Sequence, residues 1–282
     1  MTVIALVSAK SGGVTTSALA LTLAAPRGAL LAECDPAGGT IRTGFLGGQT
    51  AAATAAVGLH QLAAAERSGT LGTAFPDHIV PLAGDSAVQR LLLPGLTDPA
   101  QAPGLAGVWQ QLVLLWPVFE NEGIDVVIDA GRVLVDSSGS ISSTRYPAAL
   151  LRRADVVLLV VRRSLSAAVV ATPVMHTLRR DLAEHGTGAD ALGLLVIDEE
   201  RAPTNSELSR GLGAPVLGQL PLDHATAHAL THGPTGRGIS PRADLLRHAR
   251  STFEQVNALA ARRRLHLSPA GGRPAFQGVS GG

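Results

Sequence analysis

The stretch that most constrains the fold is Ser8-Ala9-Lys10-Ser11-Gly12-Gly13-Val14-Thr15-Thr16-Ser17, a glycine turn between an apolar run, Thr2 to Val7, and an alanine- and leucine-rich segment of helical character. Strand, glycine turn and helix in immediate succession predict a βα unit whose turn faces a ligand. Two consecutive glycines let the backbone approach an anion closely, and the N–H groups of the turn and of the helix N-terminus then point at phosphate oxygens. Thr15, Thr16 and Ser17 add hydroxyls at the head of the helix, beside where a phosphate would lie. Of the 23 lysine and arginine residues in the chain, Lys10 is the only lysine, so a compact ammonium stands where every other basic position carries a planar guanidinium. A plain Gly-Gly turn between strand and helix, with no ligand, is the alternative reading.

The remaining chain alternates strand and helix signals. The first helix is expected from about Thr15 to Ala25. A short buried strand, Ala29 to Ala32, ends in Glu33-Cys34-Asp35-Pro36-Ala37-Gly38-Gly39. Asp35 there is either a ligand-facing carboxylate at a strand end or the cap of an Asx-Pro turn. Further expectations are a helix at Leu59–Arg67, a strand at His78–Leu82, a helix at Ser86–Leu92, a proline-rich connection from Pro94 to Pro103, and a helix at Leu105–Glu122. In the last of these Trp109, Leu112, Val113 and Trp116 recur at helical spacing and read as core. Asp125 to Gly131 is an apolar run closing on Asp129; Arg132 after it reads as a solvated loop arginine, with contact to a γ-phosphate or a partner as the alternative. Ser137 to Ser143 reads as a flexible connection to a helix at Thr144–Arg153. Continuous apolar strands are expected at Ala154–Val161 and Leu192–Ile197 and a further strand within Ala214–Asp223, with a long helix at Ser164–His185 between the first two. Pro241 to Arg264 reads as an amphipathic closing helix whose Arg262-Arg263-Arg264 end complements the helix dipole.

This order predicts an α/β fold: a doubly wound, mostly parallel sheet flanked by helices, P-loop NTPase-like, in a single domain over residues 1–265 with a disordered tail over 266–282. A formal charge of +1 supplies no global field for nucleic acid or acidic membrane, so such binding would need a local patch. The single cysteine, Cys34, excludes an intramolecular disulfide and fits a reducing cytoplasm. With no basic n-region or cleavage site at the start, and no apolar run near the ~18 residues needed to span a bilayer, a soluble cytoplasmic protein is expected.

The motifs together resemble the ParA/MinD family, whose deviant Walker A loop reads KGGxGK[ST][ST]. Lys10 matches the signature lysine that opens the loop. Aligned without a gap, Thr15 takes the place of the second lysine. Aligned from the helix side, where TTxAxxL matches Thr15 to Leu21, Val14 takes it and the loop is one residue short; this second register is preferred. The family's DxDPxG is matched by Glu33-x-Asp35-Pro36-x-Gly38 and its DxxIID by the run closing on Asp129. The later strands "ADVVLLVV", "LGLLVID" and "APVLGQLPLD" follow the family's second half.

The resemblance implies ATP and Mg2+ as cofactors. Lys10 and Asp35 would be catalytic, Lys10, Ser11, Gly12, Gly13, Val14, Thr15 and Thr16 would cradle phosphate, and Thr15, Asp35 and Asp129 would stand about the metal. Asp198 and Pro221 would frame the adenine, although Asp198 replaces an asparagine and offers no donor. It also implies a homodimer formed on nucleotide binding, in which Lys10 reaches the other subunit's phosphates, slow hydrolysis, and a role in partitioning or positioning DNA, a division site or a protein machine. An unidentified protein partner, nonspecific DNA and a membrane surface are the partners so implied. The alternative is a pseudo-ATPase adaptor with little turnover. An ATP-dependent ligase acting on a small acid is a third class, and the sequence shows no second group of residues for its substrate.

Overall fold

Alternation of buried side chains along the central strand sets the layers. In a computed structural model describing residues 1–47, 57–82, 88–199, 203–234 and 238–267, β1 (Val3–Ser8) is buried throughout. Its Val3, Ala5 and Val7 face one apolar cluster and Ile4 and Leu6 the other, as a strand covered on both sides requires. Around it the order is β3-β4-β2-β5-β1-β6-β7-β8, with β2 Ala29–Glu33, β3 Val80–Pro81, β4 Arg90–Leu93, β5 Asp125–Arg132, β6 Val156–Arg162, β7 Leu192–Ile197 and β8 Val216–Leu220. Every pairing is parallel except β3 with β4.

Helices cover both faces. The helices α1 (Val14–Ala24), α8 (His224–His232) and α9 (Asp244–Leu267) pack on one side. On the other lie α2 (Leu59–Arg67), the short α3 (Leu71–Ala74), α4 (Ala106–Asn121), α5 (Ala148–Arg153), α6 (Leu165–His185) and α7 (Asn205–Leu212). This is the doubly wound α/β arrangement expected from the sequence. The expected α2 is found at its expected bounds, and Trp109, Leu112 and Trp116 are buried in the core with Val113 packed against it.

Four expectations are corrected. Arg90–Leu93 is not the end of a helix but a strand beside β2; its three leucines resemble a short helical stripe, and pairing with Ala29–Ala32 overrides that local preference. The expected strand at His78–Leu82 is reduced to Val80–Pro81, because Phe75–His78 closes into a 3-10 turn. The helix expected from Thr144 begins only at Ala148, after Pro147. The Ser137–Ser143 segment is a turn organised by Asp136, whose Oδ1 accepts from Ser138 N–H, Ser138 Oγ–H and Ser140 N–H. Three helices went unread: the short α3, α7, opened by a capping box between Thr204 and Glu207, and α8, capped by Asp223. Of the tail expected over 266–282, His266 and Leu267 instead continue α9, and the rest lies outside the described residues.

Buried arginines take structural roles. Arg90 donates to the carbonyls of Leu23, Ala25 and Arg27, closing the C-terminus of α1, where four carbonyls have no helical partner. Replacing it with alanine is expected to lower stability by about 2–3 kcal/mol in urea titration, since charge-assisted bonds are lost and buried carbonyls stay unpaired. Arg263, expected to complement the helix dipole, instead binds Asp190 and the carbonyls of Asp155 and Thr187, while Arg264 binds Asp155. These contacts pin α9 to the loops before β6 and β7.

Candidate functional site

Because β1, β2, β5, β6, β7 and β8 run in parallel, their C-terminal ends share one edge, where α/β sheets bind ligands. The glycine turn leaves β1 at this edge. Gly13 adopts φ +81°, a left-handed conformation that favours glycine, and precedes the first residue of α1. At Gly12 a Cβ would lie 3.2 Å from the Val160 carbonyl oxygen and 3.3 Å from Ser8 Cβ, so the turn fits tightly over the sheet edge. No side chain caps α1 and its first turn holds no acidic residue. Its first N–H groups are therefore left without a side-chain cap, the arrangement that suits an anion.

Thr15 and Thr16 are half-buried and Lys10 is exposed. Lys10 makes no ion pair or side-chain hydrogen bond among the described residues. With Ser11 and Gly12 it lines a cleft of about 350 Å3 that runs between the turn and the start of α6, bounded by the Arg162–Glu199 ion pair at 2.8 Å. Val14 is 5% exposed and packs into the core. As the first residue of α1 directly after Gly13, it occupies the place of the ordinary Walker lysine in the helix-side register, and no cation stands there.

Behind the turn lies a group of buried acids. Asp129 is fully buried on β5, directly opposite Glu33 in the β2 register. Its Oδ1 accepts from Gly131 N–H at 3.0 Å, whereas Oδ2 meets no donor in hydrogen-bond geometry among the described residues. Burial pushes its pKa up to about 7; the nearby Thr15 hydroxyl lowers it, and the charges of Glu33 and Asp35 raise it further. Asp35 accepts from Ala37 N–H at 2.8 Å, which makes the Asx turn. Its carboxylate also lies over Gly131, where a Cβ would stand 2.1 Å from Asp35 Cγ. Burial raises its pKa, with Arg132 opposing.

Glu33, aligned with the family's first aspartate and paired with Asp129 across the sheet, is taken up by backbone donors. Its carboxylate is 1% exposed as a residue and accepts from Thr40 N–H (2.6 Å), Ile41 N–H (3.0 Å) and Gly95 N–H (2.9 Å). Nothing in its isolated sequence position signalled this. Tyr146, the only tyrosine, was also missed: it is fully buried, its hydroxyl has no hydrogen-bond partner among the described residues, and the charges of Asp35 and Asp129 help burial raise its pKa.

Asp198 and Pro221 stand together at the ends of β7 and β8, with Asp198 N–H donating to the Leu220 carbonyl. Ile197 just before them comes within 3.2 Å of where a Gly13 Cβ would be, so this corner adjoins the glycine turn. Both Asp198 oxygens are engaged, one by Arg163 Nε at 2.5 Å and the other by Gln219 Nε2. Gln219 in turn accepts from Asn205 Nδ2. The acceptor foreseen for an adenine amine is thus held in a protein network.

The donor set suits a magnesium–phosphate ligand better than a bare ion. Among the described residues no group of three or more His, Cys, Asp or Glu is placed to hold a metal. Mg2+ is commonly held by one or two carboxylates or hydroxyls together with phosphate oxygens and water, and Thr15 with the unpartnered Oδ2 of Asp129 offers that kind of partial shell.

No protein-family model matches the sequence, and comparison with curated proteins finds no match. Solved structures do match over nearly the whole chain. The cell division ATPase MinD from Pyrococcus furiosus superposes with a TM-score of 0.62 at 15% identity, covering 92% of this chain and 99% of that one. The septum site-determining protein MinD complexed with Mg-ADP from Pyrococcus horikoshii gives 0.61 at 17%, covering 93% and 98%. Apo McdA from Cyanthece gives 0.59 at 17%, covering 92% and 99%. With the eight-stranded order, the glycine turn at the head of α1 and this coverage, the chain has the ParA/MinD-like fold of the P-loop NTPase class.

Proposed function

We propose that the protein is a ParA/MinD-like ATP-binding switch of the cytoplasm that acts in partitioning or positioning DNA, a division site or a protein machine. The observation that carries this reading is the meeting of an uncapped helix N-terminus behind a glycine turn with Thr15 and the buried Asp129. There the phosphates would take the N–H groups, and Mg2+ would stand near Thr15, with Asp129 and Asp35 acting on its waters. Exposed Lys10 would reach phosphate in a second subunit, a reading in which a nucleotide-sandwich homodimer is the active form. With no lysine at Val14, few groups stabilise the charge developing in hydrolysis, and turnover is slow.

Binding of ATP with Mg2+ by calorimetry tests the reading. Wild type is expected to bind saturably and Lys10→Ala to bind at least tenfold more weakly with an unchanged melting temperature, because exposed Lys10 makes no ion pair or side-chain hydrogen bond among the described residues. Absence of saturable binding at millimolar ATP would sink it.

A second reading, the pseudo-ATPase adaptor, is favoured by buried Val14 and by the engagement of Asp198. Single-turnover hydrolysis separates the two: binding without any product over hours selects the adaptor. With Arg263 and Arg264 engaged within the fold, nonspecific DNA binding would have to draw on other arginines, and a salt-titrated gel shift measures it.

A further inference from the structure

Beside the nucleotide turn the structure holds a second polar constellation that the sequence did not reveal. A cavity of about 240 Å3 lies over the ends of β2 and β5, whereas the Lys10 cleft lies over β1 and β6. Asp35 forms one wall, and Arg132 and Arg145 reach it from the end of β5 and from the segment before α5. Neither guanidinium makes an ion pair or a side-chain hydrogen bond among the described residues. Asp136, whose carboxylate senses Arg145, has its Oδ1 taken by Ser138 and Ser140. Pro99, Pro103 and Leu134 are among the apolar residues of the lining, and the prolines fix its shape in advance of any ligand.

We propose that this cavity binds a small carboxylic acid with an apolar body, its carboxylate gripped by Arg132 and Arg145 and its body against the proline wall. Two guanidinium forks suit a planar carboxylate. With Asp35 charged, the three groups sum to a single positive charge, which a monoanion balances and a phosphate dianion overshoots. The volume holds on the order of ten non-hydrogen atoms. The site shares Asp35 with the proposed magnesium site but uses none of the residues assigned to the phosphate cradle, so its carboxylate-gripping arginines can be tested without nucleotide.

The test is calorimetric titration of the full-length protein, without nucleotide, using 3-phenylpropanoate, its amide and phenylethylphosphonate. The acid is expected to bind saturably, at least tenfold tighter than the amide and tighter than the phosphonate. Arg145→Gln should weaken it at least tenfold while leaving the melting temperature and Mg-ATP binding as in wild type, and Arg132→Gln with Arg145→Gln should abolish it. Equal binding of acid and amide, no saturable binding of the acid, or insensitivity to Arg145→Gln would overturn the proposal. Tighter phosphonate binding would replace the carboxylic acid with a phosphate ester. Failure of ATP binding with the acid result intact would strike the proposed function alone.

Discussion

At pH 8 the Asp129→Asn variant is expected to be more stable than the wild-type apoprotein by roughly 4 kcal/mol, and at pH 4 the two are expected to be nearly alike. The folded-state pKa of about 7 lies above the ordinary 3.8, so between these values the folded protein holds a proton that the unfolded chain has released. Stability therefore falls as pH rises from about 4 to 7, and the penalty is complete above that window. A shift of this size, at about 1.4 kcal/mol per pH unit, sets the magnitude. Asparagine escapes the penalty because it cannot ionise, and its carbonyl keeps the bond from Gly131 N–H. Glu33 and Asp35, whose pKa values are also raised by burial, slope the wild-type curve in the same direction in both proteins. Urea titrations at several pH values measure the difference; a gap no larger at pH 8 than at pH 5 would refute it. The same variant should lose Mg-dependent nucleotide binding, so that stability is gained where function is lost, as at strained sites generally.

Glu33→Ala is expected to act in the opposite sense, lowering stability by about 3–5 kcal/mol. Three backbone N–H groups converge on this one carboxylate, and its removal strands them in the interior. Gly39 and Gly95 have no room for a Cβ here: at Gly39 it would stand 2.4 Å from Glu33 Oε2 and at Gly95 2.9 Å from the Glu33 carbonyl oxygen. The backbone has closed around the acid, so aspartate, one methylene shorter, should not restore the contacts. Amide hydrogen exchange at Thr40, Ile41 and Gly95 should quicken in Glu33→Ala. A loss below 1 kcal/mol, with protection unchanged, would show that these loops are held by other means.

These two acids show how far the linear pattern carries. Asp129 was readable because an apolar strand closing on a carboxylate and glycine has a limited set of uses, and the parallel sheet places its end beside the glycine turn. Glu33 looked like a conservative replacement of an aspartate at the same edge. Its extra methylene lets it reach Thr40, Ile41 and Gly95, contacts made over separations that no local pattern encodes. The capping box Thr204-x-x-Glu207 was a legible helix start that went unread. The strand at Arg90–Leu93 was illegible locally, because three leucines in a row acquire strand conformation only from the neighbour they pair with.

The sequence by itself determined the βα alternation, the two-faced burial of the long strands, and the glycine turn at the head of a helix beside Asp35 and Asp129. Each of these follows from backbone sterics or hydrophobic periodicity within a few residues. Only the tertiary structure decided that Val14 is buried where a lysine would stand, that Asp198 is held by Arg163 and Gln219, and that Arg132 and Arg145 share a cavity with Asp35. Those outcomes depend on which side chains the closed sheet brings together, and distance in space is the one quantity that spacing along the chain does not carry.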